Sequence, residues 1–183
     1  MWSFGDGNSS AGVNASNTYS LPGIYTVKLI GSTINGCKDS TTLIDTIKVF
    51  NLPTATISGN SIVYLTPSAT LQYTSTVSSV DAIAKYNWLI DAGIVANTPN
   101  LNYDFRVPGN HNITFDIQTI NGCTYSITKP IVIDSIVSKF SLTPVKFCGS
   151  GTATFTNLTN HYAAINNYLW SFVDVNSSTG VNA

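Results

Sequence analysis

Between residues 24 and 31 the chain alternates, with Tyr25, Val27 and Leu29 on one side of an extended backbone and Thr26 and Lys28 on the other. A period of two marks a strand with one apolar face. Residues 111–119 repeat the pattern with Ile113, Phe115 and Ile117. Elsewhere β-branched and aromatic residues alternate with polar ones, and clusters of Gly, Pro, Asn and Asp punctuate them roughly every 8–12 residues. No helix is needed. The pairs Asn35-Gly36 and Asn121-Gly122 follow the two alternating segments and supply the positive φ of a tight hairpin turn. Each therefore predicts a further strand, over 40–50 and 126–134.

The chain repeats itself. Trp2 recurs as Trp88, Pro22-Gly23 as Pro108-Gly109 and Asn35-Gly36-Cys37 as Asn121-Gly122-Cys123, each 86 residues on (2 to 88, 22 to 108, 37 to 123). Val27 and Leu29 then fall on Ile113 and Phe115. A third copy follows after 82 residues (88 to 170), where Tyr86-Asn87-Trp88 becomes Tyr168-Leu169-Trp170 and Tyr73 becomes Phe155. Its last residues, Asn176 to Ala183, echo Asn8 to Ala15. The phase of the repeat predicts the back half of a module at 1–50, one complete module at 51–136 and the front half of a third at 137–183, with Asn51-Leu52-Pro53 as the first junction. Such short joins favour a semi-rigid rod over freely jointed beads.

About seven short strands per repeat, with a tryptophan after the second, predict an all-β fold of tandem Ig-like antiparallel β-sandwich modules. A module of this size buries only about 60–65% of its unfolded surface and gains from its neighbours. Residues 1–50 and 137–183 each lack strands needed to cover a sheet face, so each needs a partner.

Trp2-Ser3-Phe4-Gly5-Asp6-Gly7, then Tyr19, Pro22-Gly23-Ile24-Tyr25-Thr26-Val27 and the Asn35-Gly36-Cys37 turn together resemble the PKD (polycystic kidney disease) domain. That family reads Trp-Asp-Phe-Gly-Asp-Gly and then Gly-x-Tyr-x-Val, and Ser3 stands here where it has Asp. The later copies depart further. Residues 88–93 read Trp-Leu-Ile-Asp-Ala-Gly, residues 170–175 read Trp-Ser-Phe-Val-Asp-Val, and His111 replaces Tyr25. The resemblance implies PKD-type sandwiches of the kind found in large secreted surface proteins of gliding bacteria, where repeats act as stalks or adhesive spacers. It also implies an extracellular, cell-surface location. Asp39-Ser40-Thr41, Asp45-Thr46-Ile47 and Asp134-Ser135-Ile136 resemble the acceptor tripeptide of a bacterial O-glycosylation system, which makes Ser40, Thr46 and Ser135 candidate O-glycan sites.

Composition narrows the function. Hydrophobic residues reach 43% and aromatics 11%, enough for a core, but only 9% are charged and the net charge is −1. A surface without a basic field offers nothing to a nucleic-acid backbone or an anionic membrane, so neither partner is expected, and no apolar run is long enough to span a bilayer. His111 and His161 are the only histidines, and neither sits in a catalytic motif. No catalytic, cofactor or metal site is expected, and the chain is read as a non-enzyme. Asp6 is read as a turn brace rather than a calcium ligand, because nine acidic residues spread over the chain rarely gather the oxygens Ca²⁺ requires. The tryptophans, holding one strand slot in every copy, are expected in cores rather than on a sugar-stacking surface. A glycan platform would have to use exposed tyrosines such as Tyr64 or Tyr162.

Cys37 and Cys123 share one slot in the hairpin turn, whereas Cys148 lies in the first loop of the third copy. In an Ig-like sandwich these loops sit at opposite ends, so no bridge within a module is expected. Staples between successive modules would leave all three thiols free in this chain. The function expected is a structural spacer and interaction or adhesion module of a large extracellular bacterial protein, touching neighbouring modules of its array and an unidentified protein or glycan. The alternative is an accessory carbohydrate-binding region of a secreted polysaccharidase or protease. A third possibility, head-to-tail docking of 137–183 on 1–50 of another molecule, would set two tryptophan strands in competition for one slot.

Overall fold

The computed structural model describes residues 1–65, 69–143, 145–172 and 177–179, and these are all strand, turn and coil with no helix among them. The Thr66–Ser68 part of the second copy's first loop, and Asn176 and Gly180–Ala183 of the terminal echo, lie outside the described residues. So does the Val173-Asp174-Val175 turn. The fold is the expected tandem of antiparallel Ig-like sheets.

Residues 2–49 form one four-stranded antiparallel sheet. Its strands are β1 (Trp2–Ser3), β2 (Ser9–Ser10), β3 (Gly23–Ser32) and β4 (Lys38–Val49), in the order β2-β1-β3-β4. The hairpin between β3 and β4 closes as the sequence predicts, but its geometry differs in one respect. Only the glycine of each Asn-Gly pair has a positive φ, 86° at Gly36 and 87° at Gly122. The Gly36 N–H donates to the Thr33 carbonyl at 3.0 Å and the Thr33 N–H to the Cys37 carbonyl at 2.9 Å, so the loop is a three-residue turn ending in a left-handed glycine. A second brace comes from a residue the turn motif does not contain. The Cys37 N–H donates to Thr33 Oγ1 at 3.1 Å, and Cys123 repeats it on Thr119 Oγ1 at 3.1 Å.

The second copy holds eight strands, one more than expected: β5 (Thr54–Ser58), β6 (Ile62–Tyr64), β7 (Ala69–Ser78), β8 (Ile83–Ile90), β9 (Gly93–Ala96), β10 (Leu101–Phe105), β11 (Gly109–Thr119) and β12 (Thr124–Asp134). They make a three-stranded sheet, β10-β7-β5, and a five-stranded one, β6-β12-β11-β8-β9. The extra strand, β6, pairs in parallel with β12, setting Val132 opposite Ile62 and Asp134 opposite Tyr64. Alternation along β11 is complete, since Ile113, Phe115, Ile117 and Thr119 are buried and the residues between them are not. Tyr73, Trp88, Leu101, Ile113, Phe115 and Ile133 are wholly buried, the Trp88 and Phe115 ring centres being 4.4 Å apart.

Residues 136–179 form three short antiparallel ladders: β13 (Ile136–Val137) with β16 (Asn160–His161), β14 (Phe140–Thr143) with β15 (Thr154–Asn157), and β17 (Leu169–Ser171) with β18 (Ser177–Thr179). His161 ends β16. The chain makes two compact units, one of Met1–Thr54 with Val77–Lys85 and Ile117–Tyr125, the other of Ala55–Thr76, Tyr86–Asp116 and Ser126–Ala183.

The expected burial of three tryptophans holds fully in one. Trp88 has no exposed surface, whereas Trp2 and Trp170 are half-buried. Leu29, expected on a buried face, is 37% exposed. The pattern is right in each case, but a strand's apolar face is buried only where a second sheet lies over it.

Gly59 shows how closely the second core is fitted, because a Cβ there would stand 2.2 Å from the Tyr73 ring, whose hydroxyl is tied to the Asn60 carbonyl at 2.7 Å. A Cβ at Gly122 would meet nothing within 4 Å. Gly59→Ala should cost about 3 kcal/mol as an overpacked core, and Gly122→Ala about 1 kcal/mol through φ alone. Urea unfolding followed by tryptophan emission measures both, and equal losses would contradict this account of the packing.

Candidate functional site

Each of the first two copies is held together at one corner by the same bonds, 86 residues apart. The indole N–H of Trp2 donates to the Gly12 carbonyl at 3.1 Å, and that of Trp88 to the Thr98 carbonyl at 2.9 Å. The Tyr25 hydroxyl donates to the Leu21 carbonyl at 2.7 Å. His111, in the place of Tyr25, reaches the Val107 carbonyl at 3.0 Å through Nε2. Both rings also pack at a tilt against an aromatic in one further shared slot, Tyr19 at 4.5 Å and Phe105 at 5.5 Å. The substitution therefore keeps the donor and the ring and changes only the chemistry.

The turn after the tryptophan strand is built differently in the two copies. In the first, Asp6 accepts the Asn8 backbone N–H at 3.0 Å on one oxygen, and the side-chain amides of Asn8 at 3.0 Å and Asn17 at 2.6 Å on the other. The Asn17 amide, ahead of the Asn8 groups, holds this carboxyl below its ordinary range. Its acceptors are engaged by amide N–H groups, as a turn brace requires. In the second copy the hairpin from β8 to β9 turns on Asp91 and Ala92, with φ of 48° and 71°. Left-handed backbone is unfavourable for alanine, so this turn must be held from outside. Asp91 does that by accepting the Asn112 N–H at 2.8 Å and facing His111 Nδ1 at 2.5 Å.

The pair is electrostatically coupled. Burial draws the His111 pKa down, but the hydrogen bonds to Asp91 and Val107 and the carboxylate charge outweigh it, leaving the histidine above its usual value. With Nε2 donating to Val107, only the doubly protonated ring can also donate from Nδ1 to Asp91. The Asn112 N–H, then His111, hold Asp91 below the usual carboxylate range. Neither member appears in a sequence motif. The departure of 88–93 from the glycine-rich turn, together with the histidine in the corner slot, was the signal present.

His161 Nδ1 lies 2.8 Å from the Ala163 carbonyl, and among the described residues neither histidine is bonded to a serine or cysteine. Among the described residues no three His, Cys, Asp or Glu side chains gather as a metal site. Cys37 and Cys148 are exposed, Cys123 is half-buried, and none is in a disulfide. Ser40 and Thr46 are exposed on β4 and Ser135 is half-buried, its N–H bonded to Asp134 at 2.8 Å. Tyr64 and Tyr162 are 69% and 43% exposed. A cavity of about 700 Å³ opens among Phe140, Phe155, Trp170 and Phe172, with Trp170 edge-on to Phe140 at 5.5 Å.

Residues 1–49 match the family model of the PKD domain. Among solved structures the chain is similar to the fibronectin(III)-like modules of Clostridium thermocellum CbhA, with 19% identity over 73% of this chain and 76% of that one, at a TM-score of 0.39. No curated protein matches the chain in sequence.

The Asp91–His111 pair makes part of the second copy's stability depend on pH. His111, raised in the folded state, contributes stability that is present below its unfolded pKa of about 6.5 and is lost as pH rises through the folded value. Asp91, lowered, contributes stability present above about 3.9 and lost as pH falls through its folded value. Asp91→Asn should therefore lower the thermal midpoint most between about pH 4 and pH 6.5, with the gap narrowing in alkali. A gap that widened above neutrality would show that the pair is not ionic.

Proposed function

We propose, from the PKD-family identity of residues 1–49, that the chain is a non-enzymatic spacer and interaction module of a secreted or cell-surface protein. The observation that carries this reading is the reuse of one set of corner bonds, from the Trp2 and Trp88 indoles and the Tyr25 and His111 rings, in successive copies joined by a very short link. Only Phe50–Pro53 separates β4 from β5, and Pro53 is fully buried. In the same unit Asp81 and Asn121 share a groove of about 460 Å³ with Gly23, Lys48 and Phe50. A buried proline and a four-residue link leave few free dihedrals for bending, which suits a module that sets distance. The exposed hydroxyls of Ser40 and Thr46 suit O-glycans on such a surface, with Ser135 less accessible.

Small-angle scattering tests the spacer. The wild-type profile should fit a single conformation, whereas a chain with six Gly-Ser residues inserted after Asn51 should fit only an ensemble. A wild-type profile that already needs an ensemble would remove the spacer reading. Retention on insoluble polysaccharide, abolished by Tyr64→Ala or Tyr162→Ala with Trp88 intact, would replace it with carbohydrate binding. Intact-mass analysis of natively exported protein should show added hexose mapping to residues 39–47, and an unmodified mass would remove the glycan assignment.

A further inference from the structure

The two-residue loop between β8 and β9 carries a positive φ at both of its residues, 48° at Asp91 and 71° at Ala92, with Ile90 paired to Gly93 across it. This is the backbone of a type I′ hairpin turn, which Asn-Gly and Asp-Gly adopt readily and which alanine adopts only against the steric opposition of its Cβ. Little in the hairpin itself compensates. β9 has four residues, of which Gly93, Ile94 and Val95 are exposed. It lies at the edge of its sheet, and its register with β8 shifts between Trp88 and Leu89. The turn is closed by bonds to β11 instead. The Asp91 N–H donates to the Asn112 carbonyl at 3.0 Å, the Asn112 N–H donates to Asp91 Oδ1 at 2.8 Å, and Asp91 Oδ2 faces His111 Nδ1 at 2.5 Å.

Of these bonds, the last depends on a proton that His111 can lose. A cavity of about 470 Å³ at this corner is lined by Asp91 from the turn, by Tyr103, Asp104 and Arg106 from β10 and the residue after it, and by His111 from β11. Among the described residues no charged group of β12 reaches it. Arg106 is committed to Asp104 at 3.0 Å, and among the described residues the ion-pair partner of Asp91 is His111. His111 Nε2 is engaged by the Val107 carbonyl at 3.0 Å. A neutral ring that keeps this bond turns the lone pair of Nδ1 toward the Asp91 carboxylate. Two acceptors then face each other across the contact that closed the turn. The other tautomer restores the Asp91 bond only by giving up Val107.

We infer that the β8–β9 turn is a proton-operated latch. It is shut while His111 is a cation and Asp91 an anion, and it opens locally, with the rest of the second copy folded, when the histidine becomes neutral. Asp91 is held below its usual range and His111 above, so the turn is shut between about pH 4 and pH 6.5 and opens as pH rises through the folded value of His111. The first copy is built without this latch. Tyr25 stands there in the place of His111, and the positive φ of the matching turn falls on Gly5 and Gly7.

Amide exchange on the full chain, followed by NMR residue by residue and corrected for the intrinsic effect of pH on exchange, tests the latch. Protection at Asp91 and Asn112 should fall by about tenfold for each unit by which the folded pKa of His111 exceeds its ordinary one, with a midpoint matching that of the His111 ring nitrogens. Protection at Thr119, whose N–H donates to the Cys123 carbonyl at 2.9 Å at the far end of β11, should not follow. His111→Tyr restores the ring of the first copy and a donor for Val107 but offers Asp91 no cation, so Asp91 and Asn112 should exchange at the fast, open-turn rate at every pH. Ala92→Gly makes the loop Asp-Gly, a preferred sequence for this turn, and should keep both amides protected into alkali, alone and combined with His111→Tyr. Equal protection on both sides of the His111 titration, a pH dependence that survives His111→Tyr, faster exchange in Ala92→Gly, or a parallel loss at Thr119 would each overturn the proposal.

Discussion

A twisted sheet with one apolar face is stable in water only when something lies over that face. In the second copy that condition is met: two sheets enclose Trp88, and six large side chains lose all contact with solvent. Burying Trp88 alone is worth about 3–5 kcal/mol by the cost of its truncation, a large share of what holds a domain of this size. The hairpin braces, the corner bonds and the turn after the tryptophan strand position strands that this burial holds together. In residues 1–49 and 137–172 the same strands form, but apart from Phe4 the described apolar residues there stay half-buried or exposed.

The corner of each copy shows what the fold requires of its residues. A ring and a hydrogen-bond donor must reach the carbonyl four positions back. Tyr25 and His111 both do so, although one is a phenol and the other an imidazole. At the turn Asp91 stands where the first copy has Gly5, while Gly93 keeps the place of Gly7, and Asp91 both faces the His111 ring and caps the Asn112 N–H. The two departures from the family pattern are physically one change.

Much of this was legible in the sequence because it rests on period and spacing. The alternation at 111–119 became β11 with its buried face intact, and the 86-residue step recurs in the bonds of Trp2 and Trp88. Other features depend on contacts between residues remote in sequence. Leu29 has the same pattern as Phe115, and only the absence of an opposing sheet leaves it 37% exposed. The Asp91–His111 bond joins positions twenty residues apart, which no local pattern encodes. The Thr33 and Thr119 braces lie just outside the Asn-Gly motif and look like ordinary strand threonines. β6, three residues long, is too short to show a period in the sequence.

The parallel pairing of β6 with β12 carries a mechanical meaning. The backbone bonds that flank it, from Val132 N–H to the Ser61 carbonyl and from Leu65 N–H to the Asp134 carbonyl, are both 2.8 Å long. Tension applied through the two ends of the second copy pulls the upstream strand backward and the downstream strand forward along their common direction. These bonds are then strained together in shear rather than peeled open in succession, as a hairpin's would be. A link loaded in this way shares the force among its bonds at once and yields abruptly once it gives way.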